Sequence, residues 1–196
     1  MIEHGALLWR GPLLLRGGSG NFGRHEPIES HMMKPTLRPA AAADIAAITA
    51  IYRPAVLTGT ASFELVPPDE AEMLRRFEAV KQGGYPYFVA EIDGHIVGYA
   101  YANAYRTRPA YRFTVENSVY VAREWRGLGV GRRLLTALLE AAIALGHHSV
   151  VARITGDNVV SRRLHESLGF RLVGIEEEIA MKFGRWVDVA VYQRRF

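Results

Sequence analysis

The chain reads as one α/β domain, a mixed β-sheet with helices on both faces, in the order β-α-α-β-β-β-α-β-α-β-β. Three observations predict it. Short β-rich or alternating segments are interleaved with segments whose apolar residues recur at helical spacing. The boundaries fall on turn and cap residues: Pro67-Pro68-Asp69, Gly83-Gly84, Asp93-Gly94, Gly146 and Gly169. Finally, the 196 residues are 49% hydrophobic and 22% charged, enough for one core with room for a short appendage.

Thr36-Leu37-Arg38-Pro39 is the first strand. Over 41–57, Ile45, Ile48, Ile51 and Tyr52 fall on one helical face, with Asp44 near the start. Pro67-Pro68-Asp69 opens a second helix whose apolar face is Met73, Leu74, Phe77 and Val80, and Gly83-Gly84 ends it. Residues 85–92 and 95–104 are two strands, and Asp93-Gly94 between them is a strong hairpin signal. A β-rich strand over 113–122 follows. The spacing then predicts a long helix over 131–145 carrying Leu134, Leu135, Leu138, Leu139 and Ile143, a strand over 149–155 and a helix over 159–168. Residues 170–179 and 186–192 close the sheet as an antiparallel pair.

Residues 1–34 stand apart. They hold six glycines and two prolines, follow no period, and break their apolar pieces at Arg10, Gly11 and Pro12. An export signal needs a basic start and a continuous apolar stretch. The segment is expected to be a flexible extension, a tag or an upstream misassigned start, with Met32 or Met33 a natural first residue. The domain proper is expected over 35–196.

Composition excludes several classes. No apolar run approaches the roughly 20 residues of a spanning helix. Cysteine is absent, so disulfides, Cys-ligated zinc and a cysteine nucleophile are ruled out; the expectation is a cytoplasmic protein. The formal charge is +4 and the pI about 9.5, but the arginines are scattered. Without clustered aromatics or a recognition motif, no nucleic-acid partner is expected. His147-His148 lacks ligand partners at useful spacing, so no metal site is expected.

The most informative stretch is Arg126-Gly127-Leu128-Gly129-Val130-Gly131, between a strand and a helix. Glycines at alternate positions let backbone N–H groups point into one concavity, and the helix N-terminus adds partial positive charge. Arg126, Arg132 and Arg133 can add more. This is a cradle for phosphate or pyrophosphate. A dinucleotide fingerprint fails because Arg132 stands where its third glycine belongs, and no Gly-Lys-Ser/Thr P-loop occurs.

That cradle is similar to the acetyl-CoA pyrophosphate motif, R/Q-x-x-G-x-G/A, of the GNAT superfamily of N-acetyltransferases. A second segment, Asn158-Val-Val-Ser161-Arg-Arg-Leu-His165-Glu-Ser-Leu-Gly169-Phe170, resembles the superfamily's N-x-x-S/A-x-x-x-Y/H-x-x-x-G-F. The resemblance covers about 35–196. Three further runs, over 106–121, 164–170 and 182–188, resemble the phosphinothricin acetyltransferase branch, which also acts on methionine sulfoximine.

What the resemblance implies is an acetyl-CoA-dependent N-acetyltransferase of the GNAT fold, acting on a small amino-acid-like amine and working as a homodimer. An ammonium has no lone pair, so a base must deprotonate the acceptor. Glu116, mid-strand and partly buried by pattern, suits that role, and the resemblance gives the same assignment. His165 stands where many members carry a tyrosine that protonates the leaving thiolate, and a histidine there can donate a proton or hydrogen-bond the thioester sulfur. Asn158 and Ser161 can hydrogen-bond the pantetheine arm, although Asn158 reads equally as a helix N-cap. A backbone N–H of Val119, Tyr120 or Val121 can stabilise the thioester oxyanion. With no cysteine and no Gly-x-Ser-x-Gly elbow, direct transfer in a ternary complex is expected. On the acceptor side the resemblance places Arg106, Arg108 and Tyr111, with Phe63 and Tyr120 as walls; Arg153 and Lys182 are lesser candidates. Competing readings are a peptide, protein or polyamine acetyltransferase and a non-catalytic acyl-CoA sensor. The paired arginines would repel a polycation, and Glu116 with His165 weighs against a sensor.

Overall fold

A computed structural model describes residues 34–196; the expectation for the segment before Lys34 lies outside the described residues. The elements are β1 (Thr36–Pro39), α1 (Ile45–Leu57), α2 (Glu70–Gln82), β2 (Tyr87–Ile92), β3 (His95–Ala104), β4 (Thr114–Val121), α3 (Val130–Ala144), β5 (Ser149–Thr155), α4 (Val159–Ser167), β6 (Arg171–Lys182) and β7 (Arg185–Arg195). The strands form one seven-stranded sheet in the order β1-β2-β3-β4-β5-β7-β6. Every neighbouring pair is antiparallel except β4 and β5. That parallel pair is joined by the α3 crossover, as parallel strands require.

Local chemistry explains the boundaries. Asp69 caps α2 by accepting the Glu72 N–H at 2.8 Å. Asp93 and Gly94 both have positive φ, 49° and 75°, which is the backbone of the tight hairpin that Asp-Gly predicts. Strand β2 starts at Tyr87 and not at residue 85, after Pro86, which has no N–H to give a ladder. The closing pair is longer than its alternation suggested, because Phe183-Gly184 supplies a second left-handed two-residue turn. Helix α3 begins at Val130, one residue early, with Gly129 as its N-cap at φ 78°. Ala142 takes the inward position and Ile143 is 48% exposed. The inward stripe of Leu135, Leu138 and Ala142 leaves Ile143 a further helical step round, towards solvent.

The two faces of the sheet carry separate cores. On one face Ile48, Val56 and Phe77 of α1 and α2 pack on Val89 and Tyr99. On the other, Leu134, Leu135 and Leu138 of α3 pack on Val97, Ala100, Val115 and Val150, and Leu164 of α4 with Leu168 just after it closes its edge. Strand β3 shows the period of two that serves both: Tyr99 and Tyr101 point to α1 and α2, Ala100 and Ala102 to α3. Gly98 seats α3, since a Cβ there would lie 2.9 Å from the Tyr120 carbonyl and 3.1 Å from Leu134 Cδ1. Among the described residues, no helix is long and apolar enough to cross a membrane.

One irregularity matters for function. Strand β4 pairs with β5 only from Thr114 opposite Ser149 to Glu116 opposite Val151. Yet β4 stays paired to β3 as far as Val121, and β5 to β7 as far as Thr155. Beyond Glu116 the two central strands part.

Leu138 is 1% exposed beneath the sheet. Leu138→Ala is expected to cost about 3 kcal/mol, the middle of the range for buried leucine truncations. Denaturant unfolding should show this as a lower midpoint at an unchanged slope.

Candidate active site

The parted strands open a cleft lined by Asn117, Ser118, Val119 and Tyr120 of β4, Ala152 to Thr155 of β5, Asn158, Ser161 and His165 at the start and middle of α4, and Ala61. On the β5 side, the β4 backbone from Asn117 onward has lost its ladder, so its N–H and C=O groups face the cleft. A linear chain bearing amides would complete that edge as a further strand does.

At the far end of β4 lies the predicted cradle. Gly127 and Gly129 have φ of 77° and 78°, and nothing lies within 4 Å of where a Cβ would stand. The first turn of α3 contains no acidic side chain to oppose the helix dipole. Residues 126–129 are exposed. Two of the flanking arginines also make hydrogen bonds within the protein. Arg126 Nε donates to the Val121 carbonyl at 3.0 Å, bracing the loop against its own strand. Arg132 Nη1 donates to Ser167 Oγ at 2.9 Å, tying α3 to α4.

Glu116 stands where the strands part, with no acidic group on its pairing partners Asn103 and Val151. Burial pushes its carboxyl above the usual carboxylate range, while the charges of Arg153 and Arg106 pull it back. Arg153 is not free to meet a ligand: its guanidinium is forked by the Glu176 carboxylate. Arg106 is exposed, stacks on Tyr105 at 4.4 Å and keeps its charge within reach of Glu116. Tyr111 lies edge-on to Tyr105 at 5.7 Å, and Arg108 is exposed between them. Tyr120 is a rigid wall, stacked on Tyr99 at 5.2 Å and edge-on to Tyr52 at 5.1 Å. Phe63 is 42% exposed, two residues beyond the cleft-lining Ala61.

His165 is brought to the cleft but not as a proton donor. It is 3% exposed. Its Nδ1 lies 2.8 Å from the Ser161 carbonyl, which has only lone pairs, so Nδ1 carries the ring proton. Its Nε2 then accepts from Asn117 Nδ2 at 3.0 Å. Burial also pushes the ring's pKa down, against the pull of the Ser161 hydrogen bond. A neutral ring with both nitrogens engaged has no proton to give a leaving group, unlike the tyrosine whose place it takes. Asn158 is an N-cap, its Oδ1 accepting the Ser161 N–H at 3.1 Å.

Two residues that shape the site have no stated role in the sequence reading. Asn117 is one; the visible signal is that it interrupts the inward apolar series Val115, Val119, Val121. Asp157 is the other. Its carboxylate accepts from Thr60 Oγ1 at 2.9 Å and from Arg185 at 2.6 Å, clasping the α1–α2 connection to the β6–β7 hairpin. Lys182, a lesser acceptor candidate by sequence, is buried instead and donates to the carbonyls of Ser62 at 2.5 Å and Ala55 at 3.4 Å. Among the described residues, no group of His, Asp or Glu is placed to hold a metal ion.

Residues 48–170 match the acetyltransferase (GNAT) family. The chain belongs to the GNAT acetyltransferases. It is 48% identical over 161 residues to a phosphinothricin N-acetyltransferase of Alcaligenes faecalis, covering 81% of each chain. It is 42% identical over 158 residues to an L-methionine sulfoximine/L-methionine sulfone acetyltransferase of Salmonella typhimurium, covering 81% of this chain and 92% of that one. Among solved structures it resembles a phosphinothricin acetyltransferase of Sinorhizobium meliloti in complex with acetyl-CoA. There the TM-score is 0.82 at 48% identity, over 84% of this chain and 89% of that one. The two-sided sheet and the cleft between β4 and β5 are therefore the framework of a GNAT acetyltransferase.

Lys182→Met is expected to leave the Ser62 carbonyl unpaired and to lower stability by about 2 kcal/mol, as for other buried groups that lose a partner. Amide exchange should quicken over residues 58–66 first. Unchanged protection there would remove Lys182 from its anchoring role.

Proposed function

We propose that this acetyltransferase transfers acetyl from acetyl-CoA to the α-amine of a small amino-acid analogue of the phosphinothricin or methionine sulfoximine type. The observation that carries the reading is the half-buried Glu116 at the point where the strands part, with the cradle on one side and Arg106 on the other. The cleft suits acetyl-CoA. It offers an unpaired strand edge to the pantetheine amides at Val119, Tyr120 and Val121. It also offers open N–H groups to the pyrophosphate at Gly127, Leu128, Gly129, Val130 and Gly131, and polar atoms at Asn158 and Ser161. Bound acetyl-CoA would supply the acyl group activated as a thioester.

Glu116 takes a proton from the acceptor ammonium, directly or through a water, and so frees the nitrogen lone pair. A carboxylate pushed up by burial is a better base than an exposed one. The new C–N bond forms as the C–S bond breaks, both substrates being present together; CoA leaves as its thiolate, and the proton that the nitrogen sheds on becoming an amide ends on that sulfur. Arg106 and Arg108 would pair with the acceptor's carboxylate and its phosphinate or sulfoximine oxygens as planar forks, with Tyr111, Phe63 and Tyr120 around them. His165 contributes through Asn117 and not as an acid. A chain without cysteine suits a reducing cytoplasm, and we place the activity there.

We propose also that the chain works as a homodimer through its closing strands. Edge strand β6 and its neighbour leave Leu172, Val173, Ile175, Ile179, Met181 and Trp186 about half or more exposed, an apolar run that a monomer would present to water. Sedimentation at micromolar concentration is expected to give a dimer, and Ile175→Lys a monomer; a monomeric parent chain sinks this reading.

Free-thiol release from acetyl-CoA tests the activity. Turnover is expected with methionine sulfoximine, phosphinothricin and methionine sulfone, and not with spermidine or a peptide amine. Glu116→Gln should lower kcat/KM by roughly 10²–10⁴-fold. Because the base works only when deprotonated, activity should rise with pH through a value above the usual glutamate range of about 4.3. A limb at or below that value would argue against Glu116.

A further inference from the structure

The side chain of Asn117 is used on one side only. On β4, Val115, Val119 and Val121 turn into the core beneath α3, and Asn117, between them in the same series, is 7% exposed. Its Nδ2 donates to His165 Nε2. Its Oδ1 is buried and has no hydrogen-bond partner among the described residues, although Asn117 lines the cleft. A buried carbonyl oxygen without a donor is costly, and proteins rarely keep one unless something fills it. The ring explains why the amide is turned this way. His165 must keep its proton on Nδ1 for the Ser161 carbonyl, so Nε2 demands a donor, and only the NH₂ of Asn117 can supply it. Once that bond is made, the oxygen is left for the cleft.

We propose that Asn117 Oδ1 binds the arm of acetyl-CoA, accepting a hydrogen bond from the amide N–H nearest the thioester, while its NH₂ holds His165 in the Nδ1–H tautomer. The proposal rests on the acetyl-transfer reading above. It follows from position. Glu116 and Asn117 are consecutive on an extended strand and therefore point to opposite faces of the sheet. Glu116 faces the side of Arg106 and Arg153, and Asn117 faces α3 and α4, where the cradle begins. A thioester held in the gap for an amine deprotonated by Glu116 has its arm on the Asn117 side. Two methylenes separate the sulfur from the first amide nitrogen of that arm, so this N–H falls beside the residue next to Glu116. Asn117 is thereby a binding residue for the acyl donor, and His165 is a positioning residue that acts through it.

Two measurements test this without relying on turnover. The first is calorimetric binding of CoA and of a CoA analogue in which the amide nearest the sulfur is replaced by an ester. The intact protein is expected to bind the ester about tenfold more weakly, the worth of one neutral hydrogen bond. Asn117→Leu should bind the two alike, and Asn117→Val serves equally should the leucine variant fail to fold. Equal affinities in the intact protein, or a preference that survives in the variant, overturn the proposal alone. Failure of CoA to bind at all overturns it together with the reading beneath it. The second is the ¹⁵N spectrum of the histidine rings of the intact protein at neutral pH. His165 is expected with a protonated Nδ1 and a bare Nε2; a proton on Nε2 would reverse the amide and put an NH₂, not a carbonyl, into the cleft.

Discussion

The site depends on a ladder that stops. Strands β4 and β5 begin as an ordinary parallel pair and separate after Glu116, because each remains bonded to its other neighbour. Backbone N–H and C=O groups that lose a partner in a protein interior must find another. The separation therefore creates a strand edge that a ligand with its own amides can complete. It does so at the centre of the sheet, where hydrophobic layers on both faces hold the edge rigid. Glu116 and the His165–Asn117 pair lie at that opening.

The period of two along β4 sends its side chains alternately to the two faces of the sheet. Glu116 and Tyr120 belong to the face covered by α1 and α2, where Arg106 and the tyrosine stack form a polar and aromatic chamber. Val115, Asn117, Val119 and Val121 belong to the face of α3 and α4, where the glycine cradle and the His165–Asn117 pair lie. In the proposed reaction, acceptor and donor would thus approach one gap from opposite sides of a single strand. Charge follows the same division: the half-buried Glu116 lies near Arg106 and Arg153 on one face, and a helix N-terminus whose first turn is free of acidic residues stands on the other.

The α1–α2 connection beside that chamber is held by residues remote in sequence. Lys182, at the end of β6, fastens the C-terminal turn of α1 and Ser62. Asp157 fastens Thr60 and Arg185, and Tyr52 Oη meets Ser62 and Glu64 at 2.7 and 3.0 Å. These bonds converge on the α1–α2 connection, a segment whose apolar side chains Phe63, Leu65 and Val66 stay largely exposed and so do little to anchor it. Its position is bought with polar contacts to partners up to 120 residues away.

The sequence alone determined the element order, the hairpin at Asp93-Gly94, the glycine cradle and the candidate base, because each is a local matter of periodicity, of left-handed turns, or of a polar residue in a β-rich run. It also carried a legible but weak sign of Asn117, a polar side chain in an inward valine series. Only the tertiary structure decided that β4 and β5 part, that Arg126 and Arg132 brace the fold, that Lys182 is an internal strut, and that His165 is a neutral acceptor. Those outcomes turn on which oxygen or nitrogen lies within 3 Å or so of a given side chain; for Arg132, Lys182 and Asn117 the partner is 35 to 120 residues away, and for Arg126 and His165 it is a nearby backbone carbonyl that only the folded turn or helix brings into line.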